Sequence, residues 1–336
     1  MELALYTPGL GYYANALPKF GDGPREGSDF TTAPEMSPLY GRALAAQLAE
    51  ALHATGTDAV WEFGAGSGAL AAQLLEALGP RVREYCIVEL SAELRARQQQ
   101  RLAPWAGRVR WIDALPEAIR GVVVGNEVLD AMPVQLLARI GGQWHERGVA
   151  VADDGRLVHA DRPTALRPPV DVAGTHDYVT EIHPRARAFI ATLAGCLLAG
   201  GAGAAFFVDY GFPEAEYYHP QRHMGTVMCH RGHRADADAL ADVGEKDITA
   251  HVDFTGIALA GQDAGLSVLG YASQGRFLLN CGLGPLMDAA SLPQRTMAAR
   301  LVHEHEMGEL FKVVGLCTGD PWDALGFAAG DRTHTL

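Results

Sequence analysis

Short apolar runs alternate with amphipathic stretches along the chain from residue 37 to about residue 134. Residues 37–56 have helical spacing, with Ser37 as a candidate N-cap, Pro38 at the first helical position and Gly56 at the stop. The alternation that follows is typical of a parallel sheet covered by helices. The predicted strands are 58–63, 84–90, 108–113 and the run that begins at 121, and the predicted helices between them are 68–79 and 91–103.

The pattern changes at about residue 135. Gly-Gly and Asp-Asp-Gly pairs then separate short apolar runs, which predicts antiparallel hairpins and an inserted subdomain over 135–183. Residues 1–35 are rich in Gly, Pro and Tyr and are predicted to be a lid segment, which leaves 36–134 and 184–336 as the core. The other predictions within the core are a helix over 184–201, a strand over 204–211, an inserted loop over 213–250, a helix over 253–264, a strand over 267–273, helices from 275 to 306 and a final strand over 311–319.

Composition limits the classes of function. The chain has 336 residues, is 48% hydrophobic and has a formal net charge of −13, which argues against a nucleic-acid partner bound through its phosphates. No apolar run reaches the ~18 residues needed to cross a bilayer, and the first residues lack the features of a signal peptide. Five scattered cysteines without a C-x-x-C pair indicate reduced thiols, so we expect a cytoplasmic protein.

The stretch WEFGAGSGAL carries the clearest cofactor signal. Gly64, Gly66 and Gly68 follow a predicted strand and precede a helix, and with Ala69 they satisfy G-x-G-x-x-A. Glycines in this position let backbone N–H groups approach a ligand closely. The loop alone fits NAD nearly as well as another adenosine cofactor.

Three acidic residues near successive strand ends favour S-adenosylmethionine. Glu62 precedes the glycine loop, where a carboxylate suits a cationic cofactor and repels a pyrophosphate. Glu89 is placed to bind ribose hydroxyls, and Asp113 is placed to accept from an adenine amino group. The predicted cofactor site also includes the neighbouring residues Ala65, Leu90 and Ala114.

Longer motifs carry a family resemblance over nearly the whole chain. The segments PGLGYY, SDFTTAPEMSPLYG, EFGAGSG, GNEVLDAMPV, EYYHPQR, DITAHVDFT, LLNCGLG and EMGELFKV occur in this order. The sequence resembles the methyltransferase family of the mitochondrial complex I assembly factor and its bacterial relatives. The resemblance implies an α/β class I methyltransferase fold, with a mostly parallel seven-stranded sheet, one antiparallel strand and a small inserted antiparallel subdomain. It also implies S-adenosylmethionine as methyl donor and, in the mitochondrial branch, a protein arginine as acceptor.

The end of the fourth strand offers candidates for the acceptor site. Asn126, Glu127 and Asp130 cluster there, and the two acids would share a face if the segment were helical. Carboxylates can grip a guanidinium bidentately and take up its proton. The alternative is structural, with Glu127 at a helix N-terminus and Asp130 facing solvent. His251 is a candidate pocket residue, whereas Asp253 is expected to be an N-cap.

The predicted lid contributes Asp29 and Thr32 to the cofactor site, with Tyr12, Tyr13 and Phe30 nearby. The segment FGDGPREGSDF in this lid is slightly longer than the compact entry found in the mitochondrial branch. For the two tyrosines, packing on a loop is an equal alternative.

One loop is crowded with possible zinc ligands. Nitrogen and sulfur side chains at short spacing could bind a metal, but no C-x-x-C pair completes a recognisable site, and we predict no metal. The residues concerned are His219, His223, Cys229, His230 and His233.

The leading hypothesis is an S-adenosylmethionine-dependent methyltransferase that modifies arginine in a protein, with an NADH dehydrogenase subunit as a possible acceptor and a homodimer as a possible assembly. Two alternatives remain at this point. One is a non-catalytic assembly module that keeps the cofactor pocket and binds a partner through its insertion. The other is an NAD-dependent oxidoreductase, which the three acids disfavour.

Overall fold

A computed structural model describes residues 1–15 and 31–336. In these residues the α-helices are α1 Glu2–Tyr6, α2 Ala33–Met36, α3 Pro38–Thr55, α4 Ala69–Leu78, α5 Ala92–Arg101, α6 Pro184–Gly200, α7 Glu214–Tyr217, α8 Phe254–Asp263, α9 Gln274–Asn280, α10 Leu283–Asp288 and α11 Leu292–Arg300. The strands are β1 Ala59–Phe63, β2 Glu84–Val88, β3 Val109–Ile112, β4 Gly121–Asn126, β5 Gln135–Ile140, β6 Gln143–Val151, β7 Leu157–Pro163, β8 Tyr178–Ile182, β9 Gly203–Phe212, β10 Met228–Arg231, β11 Arg234–Asp236, β12 Asp247–Thr249, β13 Val252–Asp253, β14 Ser267–Ser273 and β15 Phe311–Cys317.

The main sheet has the strand order β14-β15-β9-β4-β1-β2-β3. Strands β3, β2, β1, β4 and β9 run parallel, and β15 is antiparallel to both of its neighbours. The two-residue strand β13 adds to β9. Within the described residues this arrangement confirms the predicted α/β class I fold with one antiparallel strand.

Both faces of the main sheet are covered. The β4 residues Val122 and Val124 belong to one apolar cluster, together with side chains of α3 and α4. Val123, which points to the opposite face, belongs to a second cluster with side chains of α6 and α8. This double burial explains why the strands read as continuous apolar runs rather than as alternating ones.

The residues at the two ends of α3 confirm the predicted start and stop of this helix. The Ser37 hydroxyl accepts from the Leu39 amide at 3.3 Å, Pro38 occupies the first turn, and Gly56 ends the helix with a left-handed φ of 60°. Ser37 thereby satisfies one of the amides that a helix N-terminus leaves without an intrahelical partner.

Two smaller sheets flank the core. Strands β5 to β8 form an antiparallel sheet in the order β7-β6-β5-β8, within the region predicted to be inserted. Strands β10, β11 and β12 form a second sheet in the region 213–250, where the sequence predicted a loop. The division into lid, core and inserted subdomain stays a prediction. The structure adds that the regions 135–183 and 213–250 both contain strands.

The described part of the chain contains no helix that is both long and apolar enough to cross a membrane. The five cysteines are buried free thiols. The expected cytoplasmic location remains a prediction.

Candidate active site

A cavity of ≈ 1530 Å³ opens at the carboxyl ends of β1, β2, β3 and β4. This edge is where ligands bind in open parallel sheets. Gly68 does not line the cavity, and Asp29, like Phe30 and the whole of FGDGPREGSDF, lies outside the described residues. The predicted site residues that line it are Thr32, Glu62, Gly64, Ala65, Gly66, Glu89, Leu90, Asp113, Ala114, Asn126, Glu127, Asp130 and His251.

The glycine loop adopts a backbone that few other residues tolerate. Gly64, Gly66 and Gly68 have φ angles of 66°, 51° and 81°. A Cβ on Gly64 would lie 2.8 Å from Val128 Cγ2, so a larger residue would also push into the wall of the cavity. Gly68 instead starts α4 as its N-cap. The loop therefore offers backbone rather than side chains to a ligand.

Glu89 is held in a fixed orientation after β2. The Ser91 amide donates to Oε1 at 2.8 Å, and the Gln98 side chain donates to Oε2 at 2.9 Å. Burial raises the pKa of this carboxyl. Asp113, one residue beyond β3, is exposed to the cavity. The two acids flank the position predicted for the adenosine of a cofactor.

Glu62 presents a carboxylate beneath the glycine loop. Its Oε2 accepts a hydrogen bond of 2.6 Å from the Tyr85 hydroxyl, and the side chain is buried. Burial raises the pKa of Glu62 to about 7. A positive charge in the cavity would stabilise the ionised form of Glu62. The Glu62 carboxylate therefore suits a cationic ligand such as S-adenosylmethionine.

The segment after β4 is a turn and not a helix, so Glu127 and Asp130 do not share a helical face. Glu127 has a left-handed φ of 53°. Asp209 Oδ2 accepts from the amides of Val128, Leu129 and Asp130 at 3.1, 2.9 and 3.2 Å. The alternative interpretation is also wrong for Asp130, because its side chain is buried rather than solvent-facing.

Glu127 is positioned by a short chain of hydrogen bonds. The Tyr40 hydroxyl of α3 donates to Asn126 Oδ1 at 2.5 Å, and Asn126 Nδ2 donates to Glu127 Oε1 at 2.9 Å. Burial, followed by the charge of Asp130, raises the pKa of Glu127 to about 8. Asn126 therefore orients the glutamate, and Tyr40 orients Asn126.

Asp130 keeps one carboxylate oxygen unused. Tyr210 donates its hydroxyl to Oδ2 at 2.5 Å, whereas the buried Oδ1 has no hydrogen-bond partner among the described residues. Burial raises the pKa of Asp130 to about 6, against the hydrogen bond from Tyr210, which lowers it. A buried acceptor without a donor is costly, so this oxygen is suited to receive an N–H from a ligand.

His251 is a neutral wall of the same cavity. Its ring lies 5.3 Å from the rings of Tyr210 and Phe212, measured between centroids. Burial, helped by the charges of Arg222 and Lys312, lowers the pKa of His251 to about 4. Asp253, two residues on, accepts from the Gly256 amide at 3.0 Å and caps α8, as predicted.

The N-terminal segment contributes Tyr13 to the wall of the cavity. Tyr13 donates to Asp247 Oδ2 at 2.9 Å, and both residues line the cavity. Tyr12 is buried against Leu5, Cys229 and other residues of a small apolar cluster. The two tyrosines thus differ, since Tyr13 faces the cavity and Tyr12 supports the wall behind it.

The loop with possible zinc ligands forms part of the second small sheet. Cys229 and His230 lie on β10, and Cys229 packs in the apolar cluster with Leu5. In residues 1–15 and 31–336 no three His, Cys, Asp or Glu side chains gather as a metal site.

The residues that position Glu127 and Asp130 were not predicted from the sequence. Asp209 and Tyr210 lie near the carboxyl end of the buried strand β9, which ends at Phe212, and this position was an available signal. For Tyr40, which lies inside α3, the sequence carried no such signal, because its role depends on contact with β4.

Comparison with known proteins identifies the fold and its chemistry. The model of a family described as "Putative S-adenosyl-L-methionine-dependent methyltransferase" matches residues 43–272. A Burkholderia thailandensis protein whose crystal structure contains S-adenosyl-homocysteine is 51% identical with a TM-score of 0.94, over 100% of this chain and 90% of that one. A second crystal structure from the same organism is 48% identical with a TM-score of 0.89, with the same coverage.

Curated relatives are more distant. "Protein arginine methyltransferase NDUFAF7, mitochondrial" of Danio rerio is 26% identical over 91% of this chain and 78% of the relative. The protein of the same name from Homo sapiens is 27% identical over 94% of this chain and 78% of the relative. The family match excludes the NAD-dependent oxidoreductase. The chain belongs to this family of S-adenosylmethionine-dependent methyltransferases, with S-adenosylmethionine as its cofactor.

Proposed function

We propose that this methyltransferase acts on an arginine side chain of a protein. The observation that carries the proposal is the unpartnered, buried Oδ1 of Asp130 beside Glu127 in the cofactor cavity. A guanidinium offers five N–H donors in a planar fork and can satisfy such an oxygen together with a second carboxylate.

The charges of the site favour a cationic acceptor. Glu127 and Asp130 both have a raised pKa, and burial is the main cause in each case. A guanidinium next to them would stabilise both carboxylates and lower these pKa values again. Since guanidinium stays charged at all relevant pH, it provides this compensation without itself losing a proton first.

The side chains then have distinct tasks. Bound S-adenosylmethionine supplies a methyl group, which is transferred as a nitrogen–carbon bond forms and the sulfur–carbon bond breaks. Asp130 orients the guanidinium through Oδ1, and Glu127 accepts the proton that the attacking nitrogen loses. Tyr210, Phe212 and Phe311 line the cavity around them and limit access of water. Because His251 is neutral near pH 7, it adds no competing positive charge.

The relatives support a protein acceptor, since those from Danio rerio and Homo sapiens are named protein arginine methyltransferases. The resemblance to the complex I assembly factor makes NADH dehydrogenase subunits the first acceptors to examine. The region 135–183 and the sheet β10-β11-β12 are the surfaces we propose for contact with that protein. A homodimer stays a prediction.

Deletion of the gene is expected to abolish methylation at one or more arginines, as measured by mass spectrometry of NADH dehydrogenase subunits and of the whole proteome. Wild-type protein should restore the modification, whereas Glu127→Gln or Asp130→Asn should not. If no arginine loses a methyl group on deletion, the arginine proposal fails. If Glu127→Gln and Asp130→Asn both restore assembly of a partner complex without any methylation, the non-catalytic assembly role is favoured.

Replacement of Glu62 by glutamine is expected to weaken S-adenosylmethionine binding more than S-adenosylhomocysteine binding. The variant keeps an acceptor for the Tyr85 hydroxyl but loses the charge that a sulfonium requires. We expect about a tenfold larger rise in Kd for the cationic ligand, or about 1.4 kcal/mol. Calorimetric titration of both ligands measures this difference, and equal losses for the two would show that Glu62 does not sense the sulfonium.

A further inference from the structure

We propose that Tyr6, the last residue of α1, forms an aromatic wall of the acceptor pocket and packs its ring against the plane of the substrate guanidinium. The inference rests on the arginine acceptor proposed above and deepens it. It gives the N-terminal segment a role in choosing the acceptor, in place of the predicted role as a lid over the cofactor.

A hydrogen bond fixes Tyr6 beside the catalytic turn. Its hydroxyl donates to the Ala131 carbonyl oxygen at 2.8 Å, across 125 residues of sequence. Ala131 follows Asp130, whose Oδ1 has no partner among the described residues. The Tyr6 hydroxyl is therefore fixed to the residue that follows Asp130, and the two side chains line the same cavity. Tyr6 lines the cavity and is still 40% exposed, so its surface is accessible to a ligand.

A second contact sets the orientation of the ring. Tyr6 stacks on Tyr13 with a centroid distance of 5.7 Å and an interplanar angle of 19°. Tyr13 is itself tied to Asp247 through its hydroxyl at 2.9 Å. With one ring face supported and the hydroxyl anchored, Tyr6 loses little further freedom when a planar group packs on it, which favours binding.

The surrounding charges make this position attractive for a cation. Burial and then the carboxylates of Asp130 and Asp247 raise the pKa of Tyr6, which places both acids within electrostatic range of its ring and keeps the phenol neutral. A guanidinium held by Asp130 would gain a stacking contact on Tyr6 in addition to its ion pair. An ammonium is a compact point charge and cannot stack as a plane, so the pocket should prefer arginine to lysine.

The test compares methylguanidinium with methylammonium as probes, titrated by NMR into the S-adenosylhomocysteine complex. Tyr6→Leu removes the aromatic ring, Tyr6→Phe keeps it, and Leu3→Ala changes an exposed residue of the same helix that does not line the cavity. In Tyr6→Leu we expect the Kd for methylguanidinium to rise about two- to thirty-fold, the range of a cation–π contact, and the Kd for methylammonium to change little. Leu3→Ala should remain near wild type, and Tyr6→Phe, which keeps the ring but loses the hydroxyl bond to Ala131, should raise the methylguanidinium Kd less than Tyr6→Leu does.

Two further measurements separate the possible failures. With the acceptor found by the deletion experiment, Tyr6→Leu should raise KM while kcat and the Kd for S-adenosylhomocysteine stay close to wild type. An unchanged methylguanidinium Kd in Tyr6→Leu overturns the inference, and so does a rise in the S-adenosylhomocysteine Kd as large as the rise for methylguanidinium. If no protein arginine is methylated but Tyr6→Leu still weakens methylguanidinium binding selectively, the proposed protein acceptor is wrong, and Tyr6 packs on the guanidinium of a different acceptor.

Discussion

Replacing Glu127 with glutamine is expected to lower kcat/KM for the arginine acceptor by about 10²- to 10⁴-fold, the usual range for loss of a general base. Glutamine has nearly the same shape and can still accept the 2.9 Å hydrogen bond from Asn126. It cannot take up the proton that the attacking nitrogen loses. The loss should therefore appear mainly in kcat.

The pH dependence of kcat/KM distinguishes Glu127 from Asp130. The pKa values of about 8 and about 6 mean that both groups gain negative charge as the pH rises, so the activity of the wild type should increase with pH through this range. A bound sulfonium shifts the upper step to below pH 8. Glu127→Gln should lose this upper step and keep the lower one, whereas Asp130→Asn should lose the lower one.

Glu76→Gln is the matched control, because Glu76 is an exposed acid of α4 that does not line the cavity. It should leave both steps and the rate unchanged. A Glu127→Gln variant with wild-type kcat at pH 7 would remove Glu127 from the proton transfer. Asp130 would then be the remaining carboxylate for that task.

Much of the fold could be predicted because its signals are local. The cap at Ser37, the left-handed stop at Gly56 and the glycine turn at Gly64 each depend on a few neighbouring residues. The apolar runs of β1 and β4 also predict strands directly, because strands that are buried on both faces consist mostly of apolar residues. The order of secondary structure elements then follows from alternation along the chain.

The conformation of the turn after β4 could not be predicted from local signals. The sequence after β4 is compatible with a helical turn, in which Glu127 and Asp130 would share a face. Instead, three backbone amides of this segment donate to one carboxylate oxygen of Asp209, which lies 79 to 81 residues further along the chain. Hydrogen bonds between residues so far apart in the sequence produce no periodic pattern. The left-handed backbone conformation of Glu127 could therefore not be predicted.

The region 213–250 was predicted as a loop for a related reason. Its strands β10 and β12 are only four and three residues long. Cys229 and Ile248 on these strands pack against Leu5 and Tyr12 at the other end of the chain. Strands this short are stabilised by distant partners rather than by their own pattern.

Replacing Asp209 with alanine is expected to lower the free energy of unfolding by about 3 kcal/mol or more. The carboxylate accepts from three amides through Oδ2 and from the Tyr210 amide through Oδ1 at 3.0 Å. Each buried donor left without an acceptor costs roughly 1–3 kcal/mol, and water can compensate for part of this loss. Urea unfolding followed by circular dichroism measures the change.

Asp209→Asn separates the effect of charge from the effect of connectivity. The amide can still accept on one side, but its NH₂ must face an N–H donor on the other, so the destabilisation should be smaller than in Asp209→Ala. Asp263→Asn, an exposed acid at the end of α8, is the control for loss of one negative charge and should unfold like the wild type.

The activity of Asp209→Asn tests whether the turn positions Glu127. Asp209 holds the amides that follow Glu127, whereas the glycine loop and Glu89 are built from other segments. The Kd for S-adenosylhomocysteine should therefore stay close to wild type while kcat/KM for the acceptor falls at least tenfold. A folded variant with normal kcat/KM would mean that Glu127 reaches its position without the turn. In that case Tyr40 and Asn126 would be sufficient to orient the carboxylate.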